Sequence, residues 1–148
     1  MHSPNIDRLA HEGLTCLRAY CQVPVCGGSR ASLLSGLRPT NERFRNFDAQ
    51  IDEDARGTIT LPQVFRENGY YTISNGKISH GTNDANKRSW SEPAWMPEQD
   101  QREFLDPESR NFIGGLRNRG PFFESPDVPD NAYPDGKIAG IQRSALLP

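Results

Sequence analysis

The chain is short of apolar side chains. Only 34% of its 148 residues are hydrophobic, whereas an ordinary soluble domain carries roughly 45–50% apolar residues when glycine is counted with them. Twelve prolines and thirteen glycines interrupt what remains, so a modest core wrapped in loops is expected. No apolar run approaches the length of a membrane-spanning helix, and Met1-His2-Ser3-Pro4 shows no secretory-leader pattern. An excess of either charge is also missing. The net charge of −2 gives no electrostatic case for nucleic acid or an anionic membrane as partner. Cysteine is sparse and odd in number: Cys16, Cys21 and Cys26 cannot all pair. Their five-residue spacing is neither a redox pair nor a zinc knuckle. Cys16 and Cys21 fall in a β-prone run and are expected to be small buried hydrophobes.

Local signals set out an order of elements. Ser3 to Gly13 reads as a short helix, with a Ser cap, an early Pro4, a terminal Gly13, and Ile6, Leu9 and Ala10 on one face. Leu14 to Val25 reads as a strand. A helix then begins at Cys26 and closes at Gly36 and Pro39, and a polar loop runs to Gly57. Thr60 to Gly69 repeats the first helix's design, and Tyr70 to Ser74 reads as a second strand broken at Asn75-Gly76. This order suggests an α/β layered sheet with crossover helices. From Gly81 to about Asp135 the chain is aperiodic, and a loop this long inside a compact domain usually serves a site. Gly136 to Leu147 is weakly helical before Pro148. The expected division is a nucleophile-bearing α/β core over 1–80 and a loop-rich region with the start of a following helix over 81–148.

The most informative segment is Val25-Cys26-Gly27-Gly28-Ser29-Arg30-Ala31-Ser32-Leu33-Leu34-Ser35-Gly36. It places Cys26 at a strand-to-helix turn, where free N–H groups and the positive end of the helix dipole favour an anion. Gly27 and Gly28 would let backbone amides approach that anion unobstructed. Arg30 lies one helical turn on, within reach of the same group. As a plain thiol, Cys26 would be a reactive cysteine with a lowered pKa. A cysteine-based phosphatase is excluded, because that chemistry needs five residues between Cys and Arg and here there are three. The second constellation is Asn75-Gly76-Lys77-Ile78-Ser79-His80-Gly81, directly after the second strand. Ligands of open α/β sheets bind beyond the carboxyl ends of strands, so Lys77 and His80 should emerge where Cys26 does.

The first segment resembles the signature of the type I sulfatases, in which Cys-x-Pro-x-Arg opens a helix and the Cys is oxidised to formylglycine. The Cys-Gly-x-Ser-Arg-Ala-Ser-Leu form is similar to that of the iduronate-2-sulfatase-like branch. The second segment resembles the family's Gly-Lys-x-x-His element. Pro4 to Ala10, Leu61 to Tyr70, and Ser125 to Asp130 with Tyr133-Pro134-Asp135 are similar to further family stretches, so the resemblance covers nearly the whole chain. It implies an alkaline-phosphatase-like α/β fold, a mixed sheet with flanking helices, and hydrolysis of a sulfate ester. A hydrated formylglycine at Cys26 would attack sulfur and release the alcohol, and its second hydroxyl would then expel sulfate. Arg30 would hold the diol or a sulfate oxygen. Lys77 would neutralise the sulfate, and His80 would take the hydroxyl proton. Arg88, Trp90 and Trp95 could shape a sugar pocket or simply anchor loops.

The same resemblance implies a Ca2+ ion with Cys26 in its shell, a sulfated uronate or other glycosaminoglycan sugar as substrate, and a formylglycine-generating enzyme as partner. An exported or lysosomal location is implied as well. The family's Asp-Asp calcium pair would precede Met1 and its later ligands would follow Pro148, so the chain reads as an internal fragment with poor independent stability. Gly28 stands where the motif has proline. Two rivals remain: another carbohydrate or aryl sulfatase, and a catalytically incomplete piece with a structural or binding role.

Overall fold

A computed structural model describes residues 2–81, 84–97, 104–110, 121 and 123–146. Among them are seven helices: α1 (Pro4–Glu12), α2 (Cys26–Ser35), α3 (Ile51–Asp54), α4 (Leu61–Glu67), α5 (Asn86–Ser89), α6 (Pro107–Arg110) and α7 (Pro134–Leu146). Helix α4 packs on α5 and on α2. None is long and apolar enough to cross a membrane.

The helix ends form largely as their sequences dictate. Thr60 caps α4 by accepting from the Gln63 N–H at 3.3 Å, with Pro62 in the first turn. Helix α2 stops at Gly36, whose φ of +70° is the left-handed geometry that glycine adopts without strain. Ser3 precedes α1, but its hydroxyl donates to the Asp7 carboxylate rather than accepting from a backbone N–H. Helix α7 covers most of the weakly helical tail, and Pro148 lies outside the described residues.

The two expected strands do not form. Among the described residues the single β-pairing is an isolated parallel bridge between Asn75 and Trp95. Residues 14–25 find no backbone neighbour to complete a ladder among the described residues, and an unpaired segment leaves its N–H and C=O groups to water. Leu14, Leu17 and Tyr20 are accordingly exposed. So are Cys16 and Cys21, which corrects the expectation that they are buried. Residues 70–76 come nearer to strand behaviour, running beside 89–95. Thr72 exchanges bonds with Ser91, Trp95 N–H donates to Ser74 O, and Gly76 N–H donates to Trp95 O. The sheet of the expected α/β layering is thus not seen among the described residues.

The core is small. Ala31 and Leu34 of α2 meet Phe44, Ala49, Ile51 and Ala85, with Leu37, Ala55 and Ile78 packed against them. Helices α3 and α5 are locked end to end. Asp52 N–H donates to the Asp84 carboxylate and Ala85 N–H donates to the Asp52 carboxylate. Each acid caps the other's helix. Arg88 ties this pair to the Thr58 carbonyl and Gln63, so it anchors a loop. Trp90 and Trp95 are anchors too: Trp90 is buried and donates to Asn86, and Trp95 makes the bridge. In the last third, Glu124 gathers donors from the Leu105 and Asp106 N–H groups and the Tyr133 hydroxyl. The aperiodic stretch 81–135 therefore holds two one-turn helices and this clasp; residues 82–83, 98–103, 111–120 and 122 lie outside the description.

Candidate active site

Cys26 is the first residue of α2 and is exposed. The extended Val25 before it, with φ −144° and ψ 137°, leads the chain into the first turn of the helix. Ser29 N–H already bonds Val25 O, and Gly28 N–H bonds Asn46 O at 3.2 Å. Cys26 and Gly27 N–H have no partner among the described residues; Cys26 is exposed, which leaves its N–H open to an anion, whereas Gly27 is buried.

The two glycines have a packing role that spacing alone did not reveal. A Cβ on Gly27 would stand 1.9 Å from the Phe47 carbonyl oxygen, and one on Gly28 would stand 2.3 Å from that of Phe44. The loop 44–49 thus presses directly on the first turn of α2. Phe44 itself is fully buried with a left-handed φ of 59°, a costly conformation for a bulky residue. Its N–H is held by the Asp54 carboxylate at 2.8 Å.

Arg30 reaches across to the second constellation. Its Nη1 donates to the Lys77 and Ile78 carbonyl oxygens, the latter at 3.0 Å. A guanidinium serves two acceptors from a rigid plane, so α2 and the 77–81 turn are braced together. Phe47 makes a second connection. Its backbone lies on Gly27, while its ring meets His80 edge-on at 6.0 Å. Lys77 is exposed and His80 half-buried, and both line a cavity of about 300 Å³ with Ser79, Asn86, Ala94 and Met96. His80 Nδ1 is buried without a hydrogen-bond partner among the described residues. Cys26 is not in that lining.

The turn that carries Lys77 is held from other sides as well. Gly76 has φ +74°, which strains any residue with a Cβ, and a Cβ there would lie 2.8 Å from Ile138 Cδ1 of α7, which would have to move. The Trp95 bridge secures the preceding residues. Sequence reasoning missed Phe44, Phe47 and Ile138. The paired glycines signalled a close approach, but nothing in the sequence named the loop that makes it.

Calcium takes six to eight oxygen ligands. Among the described residues no three His, Cys, Asp or Glu side chains gather in a metal-binding cluster. The residues present do not build that shell by themselves.

The chain is 39% identical to human iduronate 2-sulfatase over 108 residues, covering 70% of this chain and 20% of that protein. It is 36% identical to a sulfatase of Formosa agariphila over 89 residues, 54% of this chain and 17% of that one. An arylsulfatase of Clostridium perfringens shares 32% over 78 residues, 53% and 16% respectively. The chain thus spans about one-fifth of the length of the first of these relatives and less of the others. A family model described as Sulfatase matches residues 1–135, taking in α1, the Cys26 helix, the Lys77–His80 turn and the start of α7, and the chain belongs to that family.

Proposed function

We propose that this chain supplies the nucleophile-bearing portion of a sulfuric ester hydrolase, with Cys26 converted to formylglycine. The observation that carries the reading is the brace from Arg30 to the Lys77 and Ile78 carbonyls, which holds the Cys26 turn and the Lys77–His80 turn in one arrangement. In this reading the hydrated aldehyde at residue 26 attacks sulfur. The unpartnered N–H of the exposed Cys26 would stabilise the charge that develops there. Lys77 offsets the negative charge of the sulfate, and His80 takes the proton whose loss expels it. Arg30 supports the site mainly by positioning, because its Nη1 is committed to two carbonyls.

The relatives include an iduronate, an aryl and an unspecified sulfatase. We assign the substrate to sulfated sugars of the uronate or glycosaminoglycan kind, on the similarity to iduronate 2-sulfatase. A formylglycine-generating enzyme is the implied maturation partner, Ca2+ the implied ion, and an exported or lysosomal site the implied location. The core of the α/β fold would lie in 1–80 and the loop-rich part in 81–148. The short span of the chain relative to its relatives favours a second reading, in which the chain taken alone is catalytically incomplete.

Mass spectrometry of the tryptic peptide Ala19–Arg30, from protein made in its native host, tests the central claim. An aldehyde in place of the Cys26 thiol, with Cys21 intact, is the expected result. A peptide carrying two unmodified thiols would move the assignment to the incomplete, inactive reading.

A further inference from the structure

The cavity beside Lys77 and His80 is lined by two segments of unlike chemistry. The 77–81 turn and Asn86 bring polar groups, whereas Ala94 and Met96 bring apolar ones from a separate stretch. Among the described residues no carboxylate lines it, and Lys77 is the one formally charged side chain that does. Such a cavity favours an anion. An anion alone would gain nothing from Ala94 and Met96.

Their position is not incidental. Trp95 pairs in parallel with Asn75, its N–H donating to Ser74 O and its carbonyl accepting from Gly76 N–H, each at 2.8 Å. Side chains alternate along extended backbone, so Ala94 and Met96 turn to the same side while Trp95 turns away. The bridge therefore fixes both residues in register with the turn that delivers Lys77. Met96 keeps 41% of its surface exposed, enough to meet a ligand.

We propose that Ala94 and Met96 form the wall that receives the alcohol portion of the ester, so that the site selects an anion joined to an apolar face. That face is either an aryl ring or the C–H side of a sugar ring. The sulfatase reading supplies the identity of the anion, and the wall is a separate statement about what lies next to it.

Calorimetric titration with three sulfonates, none of which can be hydrolysed, tests the wall. Methanesulfonate has the anion without a ring, benzenesulfonate adds a planar ring, and glucose 6-sulfonate adds a sugar ring. At least one ring-bearing probe is expected to bind about tenfold more tightly than methanesulfonate, the scale on which apolar pockets discriminate. The probe that gains identifies the face. Met96→Gln should abolish that advantage and leave methanesulfonate binding unchanged, while Met96→Leu, which conserves volume and character, should retain it. Equal affinity for all three probes, or an advantage that survives Met96→Gln, would overturn the assignment. Loss of methanesulfonate binding in Met96→Gln would also overturn it, by making Met96 a structural residue. Hydrolysis of 4-nitrophenyl sulfate by the same protein is scored separately. Ring preference without hydrolysis would keep the wall and favour the catalytically incomplete reading of the chain, and hydrolysis without ring preference would overturn the wall and keep the hydrolase reading.

Discussion

A single Cβ at position 28 would meet the Phe44 carbonyl oxygen at 2.3 Å and the Val23 side chain at 3.0 Å. The family motif has proline there, and a proline suits the first turn of a helix because its missing N–H is not needed within the helix. In this chain the Gly28 N–H is needed, by Asn46 O. Gly28→Pro is therefore expected to cost about 1–3 kcal/mol, from the clash and the lost bond together. Denaturant unfolding of the two proteins measures it, and equal stability would mean that the 44–46 loop yields freely. Arg30 makes a second prediction. Arg30→Met removes both bonds to the 77–78 carbonyls, and a loss of about 1.4 kcal/mol corresponds to a tenfold rise in local opening. Amide hydrogen exchange over 77–81 should quicken by about that factor while α4 exchanges as before. Unchanged protection of 77–81 would show that Phe47 and the Trp95 bridge hold the turn without Arg30.

Helices α3 and α5 have only four residues each, too few for any periodic pattern, and their sequences carry no local reason to be helical. They exist because Asp52 and Asp84 cap each other's first turns, a relation between positions 32 residues apart. By contrast α1 was legible from its early proline and closing Gly13, α2 from its closing Gly36, and α4 from its Thr60 cap and early Pro62, whereas the Cys26 and Lys77–His80 spacings suggested a chemistry that the proposed function takes up. The expectation of strands failed for a matching reason: β-prone residues at 14–25 state a preference that only a neighbouring strand can satisfy. The caps have a pH signature. Partial burial pushes the Asp52 carboxyl up, but the hydrogen bond from Arg88, the Ala85 N–H and the Arg88 charge outweigh it and leave it below its ordinary value. A carboxyl depressed on folding contributes stability above its unfolded pKa, near 3.9, and loses it as pH falls through the folded value. Arg88→Met should therefore weaken the acid-limb pH dependence and cost about 1–2 kcal/mol at neutral pH, since water screens a half-exposed Asp52. An acid transition identical to the parent's would show that the Arg88 pair adds nothing to the depression and that the Ala85 N–H alone sustains it.

Tyr133 gives the alkaline counterpart. Desolvation, the hydrogen bond to Glu124 and the nearby carboxylates push its hydroxyl up to about 12. A group raised on folding contributes stability that is whole below its unfolded pKa, near 10, and is lost as pH rises through the folded value. Spectroscopic titration of Tyr133→Phe should lack the latest-ionising tyrosine. If that tyrosine persists in the variant, Tyr71, also raised, through its bond to Glu92, is its source and the Glu124 clasp is weaker than its geometry suggests.

Across the molecule, the apolar side chains are distributed against the core. Phe44 and Ile51 are the only large apolar residues fully buried among the described residues, whereas Ile6, Leu9, Leu14, Leu17, Tyr20 and Phe65 all keep 45% or more of their surface in water. The face of α1 that periodicity marked for burial is bare, and the run 14–25 beside it, which turns at 17–18 and bends over 22–25, pairs with no strand among the described residues. Scattered exposed hydrophobes are normal on a folded protein. A helix face and a following β-prone run exposed together are a surface that water does not favour. The 148-residue chain in isolation should therefore self-associate at micromolar concentration. Sedimentation velocity measures this directly, and Leu17→Lys with Tyr20→Lys should shift the distribution toward monomer. The two substitutions should leave the unfolding midpoint unchanged, because Leu17 and Tyr20 keep 91% and 83% of their surface in water, although Tyr20 lines a cavity beside Ser29, Ser32 and Leu33 of α2. A chain that stays monomeric without them would show that α1 and residues 14–25 fold onto the core in solution. A midpoint that falls with them would show that the run contributes packing to the isolated chain.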